Sequence, residues 1–160
     1  MISQKFPEVE GDNLERRHFK LPYDLEGDLN LVIIPFKRIQ QSLVDEWTYA
    51  LHPIYAQYDF LYLYEIPTLS SGYRFVSFMI DGGMRAGIPD RETRNHTITL
   101  YINKTKFKKA LNINTEDTIY IMLLDKTGEI IWRTEGAVTT EKVEDLTNIL
   151  INYTKQMDVK

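Results

Sequence analysis

The spacing of apolar positions changes along the chain, and each change marks an element. Leu29-Asn-Leu-Val-Ile-Ile-Pro35 is a β-branched apolar run too short for a buried helix. It predicts a central strand, ended by Pro35, which cannot donate to a sheet ladder. From Lys37 to Leu51 the period lengthens. Ile39, Leu43, Val44, Trp47 and Leu51 recur at spacings of about four, on one helical face, while Arg38, Gln41, Asp45 and Glu46 take the other. Pro53 and its neighbour His52 mark the break. Phe60-Leu-Tyr-Leu-Tyr-Glu-Ile66 is rich in strand formers and ends at Pro67. Aromatic residues fall on both of its faces, the pattern of a strand buried in the middle of a sheet, the favoured reading, or of one that is partly an interface.

Gly11–Asn13 and Glu26–Asp28 read as turns around a short hairpin at Arg17–Leu25. Phe75, Phe78 and Met79 predict a helix over Ser71–Met84 with Ser70 or Ser71 as its cap, and the glycines and proline from Gly82 to Pro89 predict its breakdown. Thr97–Ile102 is a third strand, Thr105–Leu111 a short helix and Thr118–Leu124 a fourth strand. Asp125-Lys-Thr-Gly128 turns the chain into a fifth, Glu129–Thr134. Thr140–Tyr153 carries Val143, Leu146, Ile149, Leu150 and Tyr153 on one face, with Thr139 or Thr140 to cap it and Glu141 and Glu144 at its positive end. Alternating strands and helices in the first half demand parallel strands and right-handed crossovers. The expected fold is α/β: one domain over residues 1–160, with a mixed sheet of about five core strands and helices on both faces.

Composition narrows the chemistry. At 160 residues, 43% apolar and 26% charged, the chain needs neither disulfide nor metal to fold. A net charge of −4 argues against a nucleic-acid binder, whose affinity rests on clustered Lys and Arg. The absence of cysteine excludes disulfides, thiolate metal sites and every thiol catalyst. No apolar run has the length of a membrane span, and the polar, acidic start has no apolar signal core, so the expectation is a soluble cytoplasmic protein.

Phe6-Pro7, Phe19-Lys-Leu-Pro22 and Leu29–Pro35 resemble the opening of peroxiredoxins, and Ile121–Gly136 resembles the terminal hairpin shared by peroxiredoxins and TlpA/ResA-type reductases. The order of elements from Phe6 to Leu150 is similar to that of the thioredoxin-like superfamily. The resemblance implies a three-layer α/β/α sandwich with its core over about residues 6–153 and an N-terminal hairpin. The hairpin bearing Trp132 also resembles thioredoxin-like assembly factors of ATP synthase. The catalytic frame is vacated. Where peroxiredoxins carry Pro-x-x-x-Thr-x-x-Cys, this chain reads Pro35-Phe-Lys-Arg38-Ile39-Gln-Gln41-Ser42. Against Cys-x-x-Cys it reads Ile39-Gln-Gln-Ser42, and Thr118-Ile119 stands where the families place a cis-proline or an arginine. Serine has neither an accessible thiolate nor an oxidation ladder, so no redox catalysis is expected.

Ser42 lacks a Gly-x-Ser-x-Gly frame, and His18, His52 and His96 have no partner assignable from sequence. No metal-ligand spacing involves His52 or His96, and no metal or cofactor is expected. Trp47 and Trp132 read as core. The segment Asp81–Arg94 packs glycines with Arg85, Arg91 and Arg94, a composition that could cradle a carboxylate or phosphate, unless Asp81 and Asp90 pair with those arginines. Lys37, Arg38 and the first helix's N-terminus lie where ligands of open α/β sheets gather. The expected function is therefore a redox-inactive module of binding or assembly type that holds a protein or peptide on the Pro35–Ser42 surface. The alternatives are a small-anion binder or non-redox enzyme built on 81–94, and a homodimer joined through the vacated face.

Overall fold

The structure, a computed structural model, describes residues 4–158. Eight strands form two four-stranded mixed sheets. β1 (Val9–Asn13), β2 (His18–Leu21), β5 (Thr68–Ser70) and β6 (Ile98–Ile102) make one in the order β2-β1-β6-β5; β3 (Leu29–Ile34), β4 (Leu61–Glu65), β7 (Tyr120–Asp125) and β8 (Ile130–Glu135) make the other, in the order β4-β3-β7-β8. β3 pairs parallel with β4 and antiparallel with β7, and β5 pairs parallel with β6.

The single expected sheet is thus divided, and Pro67 is the physical reason. Having no N–H, it breaks the run Leu61–Ser70 into β4 and β5. Across Pro67 the chain stays bonded on its β3 side, Ile66 N donating to Ile33 O at 2.7 Å and Thr68 N to Pro35 O at 3.0 Å, while on its other side Glu65 N donates to His96 O and Leu100 N to Pro67 O, both at 2.9 Å. A parallel bridge between Glu65 and Thr97 closes the seam.

All six residues of β3 are buried, as an inner strand covered on both faces requires. Alternation sends Leu29, Leu31 and Ile33 toward α1 (Gln41–Tyr55) and α5 (Thr140–Asp158), where they meet Val44, Trp47, Leu51, Leu146 and Leu150. Val32 and Ile34 face the opposite way, onto Phe107 and Leu111 of the α4 region (α4, Lys104–Ala110), with Phe6 from the segment before β1 and Phe19 and Leu21 from β2. Trp47 is fully buried and its indole N–H donates to Gly136 O at 2.8 Å, tying α1 to the end of β8. Trp132 is only partly buried, against the same core.

Three local expectations are corrected. The hairpin runs over Val9–Leu21, so Gly11–Asn13 is strand; the turn is Leu14–Arg17, where Asn13 Oδ1 accepts from the backbone N–H of Glu15 and Arg17 at 2.9 and 2.8 Å. A 3₁₀ segment, Ser71–Val76, precedes α2 (Ser77–Gly87), which continues through Gly82 and Gly83 instead of breaking there. Isolated glycines weaken a helix by only about 1 kcal/mol each, and the Tyr101 hydroxyl of β6 donates to Asp81 at 2.6 Å, anchoring this one from outside. Pro53 lies inside α1, in its last turn, and the break follows Tyr55. α3 (Arg91–Asn95) is capped by Asp90, whose carboxylate accepts from Thr93 N at 3.2 Å.

Candidate functional site

β3 delivers the chain to the vacated frame. Pro35 and Phe36 are buried, and the Phe36 ring stands edge-on to Tyr120 at 6.2 Å. A single 3₁₀ turn, Arg38–Gln40, leads into α1. Arg38, Gln41 and Ser42 are exposed, and Ile39 is 84% exposed. The residue that matters structurally is Gln40, only 4% exposed. Its Oε1 accepts from the N–H of Phe36 at 2.8 Å and of Lys37 at 3.1 Å, while its Nε2 donates to Glu116 O at 2.6 Å. Lys37 Nζ adds an ion pair with Asp117 at 2.6 Å. The turn is thereby sealed to the loop before β7.

That seal changes where a ligand can go. Thr118 is half-buried, Ile119 is fully buried in the α1–α5 core with its carbonyl accepting from Gly136 N at 2.9 Å, and neither lines the groove beside the turn. The open groove, of about 780 Å³, lies on the other side of the turn, between it and α2. Pro35, Arg38 and Gln41 line it; Ile39 and Ser42 do not. The opposite wall comes from Met79, Ile80, Gly83, Met84 and Gly87, so the glycine-rich segment and the vacated turn, two separate candidates in the sequence, face one another. Pro67, Thr68 and Leu69 contribute to the lining from the seam, together with Glu65 of β4 and Asp45 of α1.

α2 is an apolar helix without one buried residue. Phe75, Phe78 and Met79 are 88%, 77% and 74% exposed, close together in the chain, and Met79 lines the groove. Glu65 is the reverse case: a mostly buried carboxyl whose pKa is pushed up to about 7, by burial first and by the charge of Asp45 second, against a hydrogen bond from Gln41. Gln41 Nε2 also donates to Asp45 Oδ1 at 3.0 Å. Sequence reasoning missed Gln40, Asp45 and Glu65. The signal for Glu65 was there: a lone carboxylate inside an aromatic strand run.

Two of the three arginines expected to bind an anion engage a carboxylate of the hairpin turn. Arg94 Nε donates to Glu15 Oε1 at 2.6 Å, and its Nη1 donates to the carbonyls of Ile88 at 2.9 Å and Pro89 at 2.7 Å. Arg85 reaches the other oxygen of Glu15 at 3.4 Å. The counter-charge is therefore Glu15 of the hairpin turn; Asp81 is held by Tyr101 and Asp90 caps α3. Arg91 is exposed and takes no part in this clamp.

A second cavity, of about 800 Å³, opens between α1, β4 and α3. The His96 ring lies there 5.0 Å from that of Tyr64, tilted by 40°, and burial lowers its pKa. Tyr64 is fully buried and Tyr62 half-buried, so only part of the aromatic strand is interior. His18 lies apart on β2, its two ring nitrogens at 2.7 Å from Asp12 and 2.8 Å from Glu10, which raises its pKa. Among the described residues no three His, Asp or Glu side chains are grouped to hold a metal ion, and no helix is long and apolar enough to cross a membrane.

The parallel β3-α1-β4 unit, the antiparallel β7-β8 hairpin and the covering α5 define a thioredoxin-like protein whose first-helix turn carries no cysteine. Solved structures agree. The thioredoxin domain of a thiol-disulfide oxidoreductase from Bacteroides vulgatus is similar with a TM-score of 0.57 at 17% identity, over 96% of this chain and 98% of that one. BsSco, of the Sco family of cytochrome c oxidase assembly proteins, gives 0.60 at 10% identity over 96% and 95%. A pneumococcal exposed lipoprotein thioredoxin from Streptococcus pneumoniae gives 0.56 at 12% identity over 88% and 97%. No curated protein matches the sequence. Residues 2–152 match the ATP10 protein family, and the chain belongs to it.

Proposed function

We propose that the chain is an assembly-type binding protein that holds a segment of a client in the groove between the Pro35–Gln41 turn and α2, and that the client belongs to the ATP synthase. The observation that carries this reading is α2 itself. A helix with exposed Phe78 and Met79 beside a groove has apolar surface that folding leaves uncovered, and such surface is stabilised by a partner. Family membership supports the assembly role, and the absence of cysteine removes the thiol chemistry that thioredoxin-like folds otherwise perform at this turn. Against the anion-binding alternative stands Glu15, which engages Arg85 and Arg94, two of its three arginines.

The test is replacement of Met79 and Phe78 by glutamate in cells that depend on this protein, with assembled ATP synthase read on native gels. Assembly falls while the purified variant keeps its circular dichroism and melting temperature. Unchanged assembly overturns the reading, and so does a wild-type chain that sediments as a dimer buried through this face.

A further inference from the structure

The groove is apolar along its walls, through Phe36, Pro67, Leu69, Met79, Ile80 and Met84, yet Glu65 and Asp45 also line it. These two carboxylates lie close enough for the charge on one to affect the other, and both draw on the amide of Gln41. Neither belongs to any ion pair found among the described residues. Lys37, which also lines the groove, is already bound to Asp117, and Arg38, another lining residue, is exposed. A mostly buried carboxylate without a counter-charge is costly, and that cost is relieved by whatever brings a cation to it.

We propose that the groove recognises an apolar client segment by one lysine or arginine, whose charged head seats against Glu65 and Asp45 while neighbouring apolar side chains lie along α2. This rests on the groove being the client-binding surface and names the chemistry it reads. An anionic ligand is repelled from the carboxylates. A bilayer is flat and meets the exposed Phe75 and Phe78 without reaching a mostly buried strand residue. A volume of about 780 Å³ with apolar walls accommodates several side chains, more than a lone amine fills. Lysine and arginine fit this environment because their methylene stems pack on apolar surface and only the head needs the carboxylates.

The full chain is titrated, by fluorescence anisotropy, with labelled decapeptides of alternating leucine and serine that differ only in a central lysine, norleucine or glutamate. The lysine peptide binds roughly tenfold tighter than the norleucine peptide, as expected for one charge-assisted contact, and the glutamate peptide binds weakest. Glu65→Gln removes the lysine preference while norleucine affinity holds. Asp45→Asn, on an exposed helical position, reduces the preference and serves as a second variant independent of the fold at the seam. Equal affinity for lysine and norleucine overturns the charge reading and leaves the groove reading intact. Absence of binding by all three peptides, or binding to phosphatidylglycerol vesicles in their place, overturns both.

Discussion

Gln40 Nε2 donates to the carbonyl of Glu116 at 2.6 Å, across 76 residues of sequence, and so fastens the turn before α1 to the loop before β7. The same side chain accepts from two backbone N–H groups at the end of β3. Gln40→Ala leaves these buried polar groups unpaired and is expected to cost about 2–4 kcal/mol in urea unfolding. Gln40→Glu keeps the acceptor and sets a carboxylate oxygen against the Glu116 carbonyl, so it too loses stability. A cost under about 0.5 kcal/mol for both variants contradicts the clamp.

Ser42 stands in the first turn of α1, where a thioredoxin-like protein would carry a thiol. Ser42→Cys is expected to yield a thiol that consumes hydrogen peroxide no faster than a small-molecule thiol does. Ile39, 84% exposed, supplies no hydroxyl to steady a reacting peroxide, and Asp45 stands three positions further along the helix, where its charge opposes a thiolate. Catalytic peroxide turnover by this variant, followed by NADPH-coupled assay, contradicts the loss of the pocket.

Glu15 is gripped by Arg94, whose guanidinium also closes on the carbonyls of Ile88 and Pro89, so the hairpin turn is pinned to the chain between α2 and α3. Arg94→Ala is expected to lower the melting temperature by several degrees, and Arg94→Lys to rescue it poorly, because lysine lacks the fork that serves three acceptors at once. Arg85→Ala, at the longer contact, has the smaller effect. Inorganic phosphate and sulfate leave the wild-type melting curve unmoved. A phosphate-dependent rise that Arg85→Ala and Arg91→Ala abolish restores the anion site.

Most strands and α1 were legible because a single run of apolar spacing decides each: Leu29–Ile34 can only be a short buried strand, and the fourfold spacing from Ile39 to Leu51 can only be one helical face. Even there the period overreached, since Ile39 falls before α1 begins and faces solvent. The thioredoxin-like order followed from those elements. The groove did not, because it is made by residues distant in sequence: Glu65 and Asp45 share its lining only because β4 returns beside β3. The seal at Gln40 was equally invisible, being a long-range contact of a residue that reads as ordinary helix surface. The arginine clamp was missed in its partner, Glu15, because hairpin register decides which carboxylate arrives.

Glu65 also makes stability depend on pH. Its carboxyl ionises near 4.5 in the unfolded chain and at about 7 in the folded one, raised by burial and then by Asp45, so the folded state holds the proton more tightly. Stability on this account is greatest below pH 4.5, falls as pH rises, and is fully reduced above about 7, by up to about 3 kcal/mol. His18, raised by Glu10 and Asp12, tilts the curve the same way, while His96, lowered by burial, tilts it the other. The two histidines are common to both proteins when wild type is compared with Glu65→Gln, and cancel. The variant is expected to match wild type near pH 4 and to exceed it at pH 8 in the midpoint of urea unfolding. A difference that does not vary with pH means the Glu65 carboxyl is not held above its ordinary range, and a variant weaker at pH 8 means the ionised carboxyl makes a contact that outweighs its burial.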